Sequence, residues 1–362
     1  MARVVAAMSG GVDSSVTAAL LKEQGHDVIG VHMKLHDSEP GKVSGKCCGL
    51  DDALDARRVA ADLDIPFYVM NLREAFRKAV MDNLADTYLA GRTPNPCIQC
   101  NGVLKFKVLM SRALALGATH LATGHYARIG QGPTLMRAVD HKKDQSYFLF
   151  PMTKAALERT MFPLGGMHKD EVREHARRFG LLTADKAESQ DICFIPDGDH
   201  ARFVRQHRPG FDTSGEIVDE EGNVLGHHDG YVRYTVGQRK GLGVSMGYPA
   251  YVVRIDSRAR RVVLASADRL DHGGLVASDF NWFQRPMDGR VVQARIRHRG
   301  KAIPCTLSPT DPCEVRFLEP AHAVAPGQAV VVYDEDTVLG GGWIDRALPV
   351  TRSLLQSAQA LA

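Results

Sequence analysis

No run of about eighteen consecutive apolar residues occurs in the 362-residue chain, so nothing in it reads as a transmembrane helix. No secretory leader is expected either, because residues 1–8 lead straight into a strand pattern, and the expected compartment is the cytoplasm. Charge of one sign is scarce. Lys and Arg exceed Asp and Glu by only 45 to 42, so bulk charge neither requires nor excludes a nucleic acid. Internal repeats and low-complexity tracts are absent. Cysteine is present in an odd number, seven, at 47, 48, 97, 100, 193, 305 and 313. In a long chain without a leader that argues against a disulfide framework and for thiol or metal chemistry.

What is present suits a folded, water-facing protein of two or three domains, with 44% apolar and 24% charged residues. In the first half, 4–8, 28–33, 67–72 and 120–123 read as strands. Between them 14–24, 51–64, 74–90 and 103–116 read as helices, with 91–101 a Pro-broken loop. That rhythm predicts a doubly wound parallel sheet. Near residue 205 it stops. Short β-rich runs at 251–255, 261–265, 291–297, 314–317 and 329–333 alternate with turns, and no long helical pattern appears before Thr351. The expected architecture is an α/β domain over 1–204, a small central β-rich domain over 205–274 and a C-terminal β-barrel over 275–362.

The strongest motif is Ser9-Gly10-Gly11-Val12-Asp13-Ser14-Ser15, between an expected strand and an expected helix. Paired glycines allow a sharp turn and a close approach of backbone to ligand. The serine hydroxyls can bond phosphate oxygens, and the N-terminus of the following helix favours an anion. Asp13 beside phosphate suits a Mg²⁺ ligand or a backbone turn. A Gly-Lys-Ser/Thr ending is lacking, so the loop is not one built to cradle β- and γ-phosphates. A purely structural Gly-Ser turn is the bland alternative.

The segment Thr93-Pro94-Asn95-Pro96-Cys97-Ile98-Gln99-Cys100-Asn101 reads as a rigid loop entering a helix. A thiol just before a helix N-terminus, with Lys105 and Lys107 close by, is expected to have a lowered pKa. Cys193 lies in an apolar, strand-like stretch, where a lone cysteine is more often core filler. Two basic clusters fit solvated strand faces as well as phosphate binding: Arg254, Arg258, Arg260 and Arg261, then Arg290, Arg295, Arg297, Arg299 and Lys301.

The glycine-serine loop resembles the SGGxDS loop of the PP-loop ATP pyrophosphatases, which transfer AMP from ATP to a substrate oxygen. TPNPCIQCN, ATGHY (122–126), KDQSYFL (143–149), DICFI (191–195), GQRKGLG (237–243), PGQAV (326–330) and LGGGWI (339–344) follow in order. Together they are similar to the bacterial tRNA 2-thiouridylase family over nearly the whole chain. The resemblance implies an ATP site formed by Ala7, Met8, Ser9, Gly10, Gly11, Val12, Asp13 and Ser14 with Met33 and Gly124, and Mg²⁺ as the companion ion. It implies Cys100 as nucleophile and Cys193 as carrier of persulfide sulfur, with Asp13 beside them among the catalytic groups. Asn95, Pro96 and Cys97 match the stretch that meets the target base. His125, Lys143, Asp144, Gln145, Arg297, His298 and Gln328 match tRNA-contacting positions. The implied partners are tRNAs of the Lys, Glu and Gln type, modified at wobble uridine 34, and a sulfur donor such as a cysteine desulfurase or sulfur-relay protein.

Many members of that family carry Asp where this chain has Cys97. Cys97, Cys100 and Cys193 then make three potential thiolates for one site, a set that suits a [4Fe-4S] cluster with one open iron position. Persulfide chemistry needs only two of them, and both chemistries stand open. Cys47 and Cys48 read as loop thiols, Cys305 and Cys313 as structural ones. Two rival classes remain. An amide-forming PP-loop synthetase would not need cysteines in a rigid loop, and a non-catalytic tRNA- or metal-binding protein would not need an intact Ser9 to Ser14.

Overall fold

The computed structural model describes residues 1–37, 50–187 and 192–351. Cys47 and Cys48 lie outside these residues, as does the chain after Thr351. Two compact units are present. The first comprises Met1–Met81, Pro96–Gly198 and Asp336–Val338; the second comprises Asp82–Asn95, Asp199–Glu335 and the chain from Leu339.

The chain begins β1 (Arg3–Ala7), α1 (Val12–Glu23), β2 (Asp27–Lys34), α2 (Leu50–Asp62) and β3 (Phe67–Asn71). A helical run follows through α3 (Arg73–Phe76), a π-helical stretch Arg77–Met81 and α4 (Asp82–Leu89). Another goes from α5 (Pro96–Gln99) through a π-helical stretch Cys100–Leu109 to α6 (Met110–Ala115). Then come β4 (His120–Ala122), a hairpin of β5 (Ala127–Ile129) and β6 (Leu135–Arg137), α7 (Lys154–Glu158), β7 (Thr160–Met161) and α8 (Lys169–Arg178).

In the first unit β3, β2, β1, β4 and β7 form one parallel sheet in that order. β1 stands near the middle because Val4, Val5 and Ala6 are fully buried, as a strand covered on both sides requires. α1 is buried along most of its length from Val12 to Leu21 and joins Val4, Val28, Val59 and Val172 in one core. The chain winds outward from β1 through β2 to β3, then returns to lay β4 on the other flank of β1. Such a reversal opens a crevice at the carboxyl ends of the two central strands, where α/β sheets bind ligands.

Two expectations fail here for local reasons. The stretch 91–101 is not a loop throughout: a helix begins at Pro96, which is buried, and carries both Cys97 and Cys100. Proline starts a helix as readily as it breaks one, because its fixed φ and missing N–H suit the first helical position. The run around Cys193 is not a strand. Within it Ile195 N–H donates to the Ile192 carbonyl at 3.0 Å, closing a turn, and Phe194 packs edge-on against Phe76 at 5.3 Å.

In the second unit, α4 pairs with α9 (His200–His207), N-capped by Asp199, through Asp82–His207 at 2.7 Å and a two-pronged Asp86–Arg208 contact. β8 (Gly215–Val218), β9 (Val224–His228), β10 (Tyr251–Asp256) and β11 (Arg261–Ala265) form a four-stranded sheet. The last six strands are β12 (Asp271–Trp282), β13 (Val292–Arg295), β14 (Ile303–Ser308), β15 (Cys313–His322), β16 (Ala329–Asp334) and β17 (Thr337–Leu348). They run β12-β15-β14-β13-β16-β17, and pairing of β12 with β17 closes them into a barrel. Alternate residues of β14, among them Cys305 and Leu307, point into its apolar interior with Cys313 and Val315, the period-2 pattern of a one-sided strand. The doubly wound sheet followed by β-rich modules is the architecture expected. Among the described residues no helix is long and apolar enough to cross a membrane.

Candidate active site

Ala7 ends β1, Met33 lies near the end of β2, and Gly124 follows β4. The expected nucleotide residues therefore gather at the carboxyl ends of three neighbouring parallel strands. Gly10 has φ +81°, and a Cβ there would stand 2.3 Å from the Asp52 carbonyl oxygen, so only glycine fits. A Cβ on Gly124 would come 2.9 Å from the Asp13 carbonyl carbon, so this glycine lets β4 press against the loop.

α1 starts after Gly11, which offers no side-chain cap, so the first-turn N–H groups are left for a ligand. The serines are less free than their number suggests. Ser14 and Ser15 each donate to the Gly11 carbonyl at 3.0 Å, Ser9 Oγ lies 3.2 Å from Ser14 Oγ, and Ser15 is fully buried. Their first task is to hold the turn. Of the three, Ser9 keeps the least committed hydroxyl.

Asp13 is held from two sides. Its Oδ1 accepts from Tyr126 Oη at 2.8 Å and from Lys169 Nζ at 2.7 Å. Lys169 is itself buried, at the start of α8. A second ammonium, Lys186 Nζ, donates to the Gly10 carbonyl at 3.0 Å, Asp52 Oδ1 at 2.7 Å and Asp55 Oδ2 at 2.7 Å. Burial works against the Lys186 charge, but its bonds to the two aspartates outweigh burial and raise its pKa. Sequence reasoning missed both lysines. They lie more than 150 residues from a loop that contains no cation, and no local pattern announces them.

Cys100 and Cys193 are partly buried against one apolar cluster of Leu35, Leu72, Phe76, Val80 and Leu104. The Cys100 thiol pKa is raised by burial, with Lys105 offsetting it in part. The expected lowering fails because Cys100 stands inside a helical run, packed on apolar side chains, and not in front of an exposed N-terminus. Cys97 is exposed and outside that cluster. Among the described residues no three His, Cys, Asp or Glu side chains are grouped so as to hold a metal ion.

Several positions expected to touch RNA are occupied within the fold. His125 is buried, its Nδ1 2.7 Å from Thr123 Oγ1 and its Nε2 3.3 Å from Lys105 Nζ. Burial, with Lys105 beside it, holds its pKa well below the ordinary imidazole range, so it is neutral and accepts from Lys105 through Nε2. Asp144 accepts from Ala138 N, Ser146 N and Ser146 Oγ, and Gln145 accepts from Tyr126 N. Gln328 Nε2 donates to the Thr93 and Pro94 carbonyls, with Asn95 Nδ2 3.5 Å from its Oε1, and so shapes the backbone before Pro96. Arg297 donates to the His322 and Ala323 carbonyls. Half-buried Lys143 and His298 complete the set. In the basic clusters Arg260 pairs with Asp212, Arg261 with Glu216, Arg290 with Asp334 and Lys301 with Glu319. Such exposed pairs are weak.

Family models cover the chain almost end to end: a tRNA methyl transferase HUP domain over 2–197, a tRNA methyl transferase PRC-barrel domain over 201–266 and an aminomethyltransferase β-barrel domain over 272–344. A tRNA-specific 2-thiouridylase MnmA of Geobacter metallireducens is 52% identical over 358 residues, 96% of this chain and 97% of that protein. Those of Geotalea uraniireducens and Carboxydothermus hydrogenoformans are 52% and 47% identical, each over 96% of this chain, with 96% and 98% of their own lengths covered. With a phosphate-type loop at the crevice of a parallel sheet and two thiols on one apolar cluster, the chain belongs to the tRNA-specific 2-thiouridylase family.

Proposed function

We propose that the chain is an ATP-dependent tRNA-uridine 2-sulfurtransferase that adenylates the C2 oxygen of wobble uridine in tRNAs of the Lys, Glu and Gln type and replaces that oxygen with sulfur. The observation that carries this reading is the presence, in one unit, of a backbone anion site at the ends of β1 and β4 and of two thiols sharing one apolar surface. Oxide is a poor leaving group. Transfer of AMP to the oxygen, with loss of pyrophosphate, makes it a good one.

Gly10, Gly11 and the first turn of α1 bind the phosphates, and Lys169, steered by Asp13 and Tyr126, adds positive charge beside them. Mg²⁺ typically takes one or two protein carboxylates beside substrate phosphates, and Asp13, about a third exposed, is the carboxylate the loop offers. Bound there, the ion would neutralise phosphate charge.

Sulfur is carried as a persulfide on Cys193. Its terminal sulfur attacks C2, the C2–O bond breaks, and AMP leaves with the electron pair. Cys100 then attacks the Cys193 sulfur; the bond to the transferred sulfur breaks, leaving 2-thiouridine and a Cys100–Cys193 disulfide. A thiol reductant restores both thiols. The cytoplasm suits a tRNA substrate and a cytosolic sulfur donor. The domain limits expected at 204/205 and 274/275 cut through α9 and β12, which are single hydrogen-bonded elements, so we set them just before Asp199 and Asp271.

Pyrophosphate release tests the reading. It is expected to require tRNA bearing an unmodified wobble uridine and to be indifferent to ammonia and amino acids. Release driven equally well by an amine acceptor would instead support an amide-forming synthetase.

A further inference from the structure

Lys186 reaches the nucleotide loop from far along the chain and meets three acceptors there: the Gly10 carbonyl, Asp52 and Asp55. An ammonium has three N–H bonds, and these acceptors match all of them. Lys186 is thus committed to the protein and is not a spare cation for phosphate. Its effect passes through the peptide it holds. In a planar trans peptide the C=O and the following N–H point in opposite directions. With the Gly10 carbonyl turned to Lys186, the Gly11 N–H is directed to the opposite side. Gly10, at φ +81°, has no side chain to restrict it, and the loop has no other cation to anchor this carbonyl.

We propose that Lys186, held by Asp52 and Asp55, is a positioning residue of the nucleotide site: by fixing the Gly10 carbonyl it aims the Gly11 N–H and the first turn of α1 at the pyrophosphate portion of ATP. The inference rests on Ser9 to Ser15 being the nucleotide loop. A merely structural Lys186 would affect stability alone. A positioning Lys186 affects phosphate affinity even when stability is restored. The distinction can be made because Asp52, 5% exposed, is the group left uncompensated when the amine is removed.

The test is equilibrium binding of ATP and of inorganic pyrophosphate, by calorimetry, to the full-length protein, with thermal melting measured in parallel. Lys186→Met is expected to bind both ligands about 10- to 100-fold more weakly and to melt lower. The Lys186→Met/Asp52→Asn/Asp55→Asn variant, in which no charge of the cluster is left buried, is expected to recover the melting temperature and not the affinity. Asp55→Asn, at the more exposed acceptor, keeps the fold and gives a smaller loss in the same direction. In steady state the KM for ATP rises more than kcat falls. A triple variant with parental ATP and pyrophosphate affinity would overturn the proposal, as would a loss confined to ATP with pyrophosphate binding intact. If the parent protein itself binds neither ligand, the nucleotide-loop reading fails instead.

Discussion

Gly10→Ala is expected to abolish ATP binding and pyrophosphate release while tRNA affinity stays at the parental level. The added Cβ would stand 2.3 Å from the Asp52 carbonyl oxygen, a backbone atom that cannot swing aside, and φ +81° strains any L-residue. Strain of this kind costs about 1–3 kcal/mol even without a clash. Each 1.4 kcal/mol is about tenfold in affinity, so strain and clash together predict a loss of at least about a hundredfold. Gly166→Ala is the control, since a Cβ there meets nothing within 4 Å. Calorimetric ATP titration and filter binding of tRNA separate the two effects. A Gly10→Ala protein that binds ATP normally would show that the loop approaches no phosphate.

The second large effect concerns sulfur. Cys100→Ser and Cys193→Ser are each expected to lower 2-thiouridine formation by at least about a thousandfold, while tRNA-dependent AMP formation persists because activation precedes sulfur transfer. Cys97→Ser and Cys97→Asp, at an exposed position outside the cluster that holds the other two thiols, are expected to retain activity within several-fold. Were an iron–sulfur cluster the sulfur carrier, loss of Cys97 would instead remove iron and activity together. The pH profile bears on the same step. Burial raises the Cys100 pKa, so its reactive thiolate is a minor species at neutral pH and grows as pH rises. The second, thiol-dependent step should therefore accelerate from neutral to alkaline pH in single-turnover measurements, a dependence that Cys97→Ser leaves in place.

The fold was largely legible because its signals are local. The apolar runs of β1 and β2 fall within a residue or two of the expected strands, and the change of rhythm near residue 205 lies within α9, where the β-rich half begins. The sharp turn at Gly10 and Gly11 was legible for the same reason: paired glycines between a strand and a helix permit it. Long-range chemistry was not. Nothing near Lys169 or Lys186 in the sequence indicates that their side chains end on Asp13 and Gly10, because those contacts arise only when α8 and the chain after it fold back over α1 and α2. The two π-helical stretches, Arg77–Met81 and Cys100–Leu109, also escaped a reading tuned to 3.6 residues per turn. The thiol at Cys100 was misjudged for a related reason. Its nearby lysines are visible in the sequence, whereas the burial that overrides them comes from Leu72, Phe76 and Val80, a different helical run.

The most direct test is nucleoside analysis of unmodified tRNA of the Lys, Glu and Gln type after incubation with the purified protein, ATP, Mg²⁺, a thiol reductant and a persulfide donor. The predicted result is 2-thiouridine at the wobble position, with one AMP and one pyrophosphate formed per sulfur inserted and none of the three without ATP. Formation of AMP and pyrophosphate with no sulfur in the tRNA, or thiolation at another nucleoside, would contradict it.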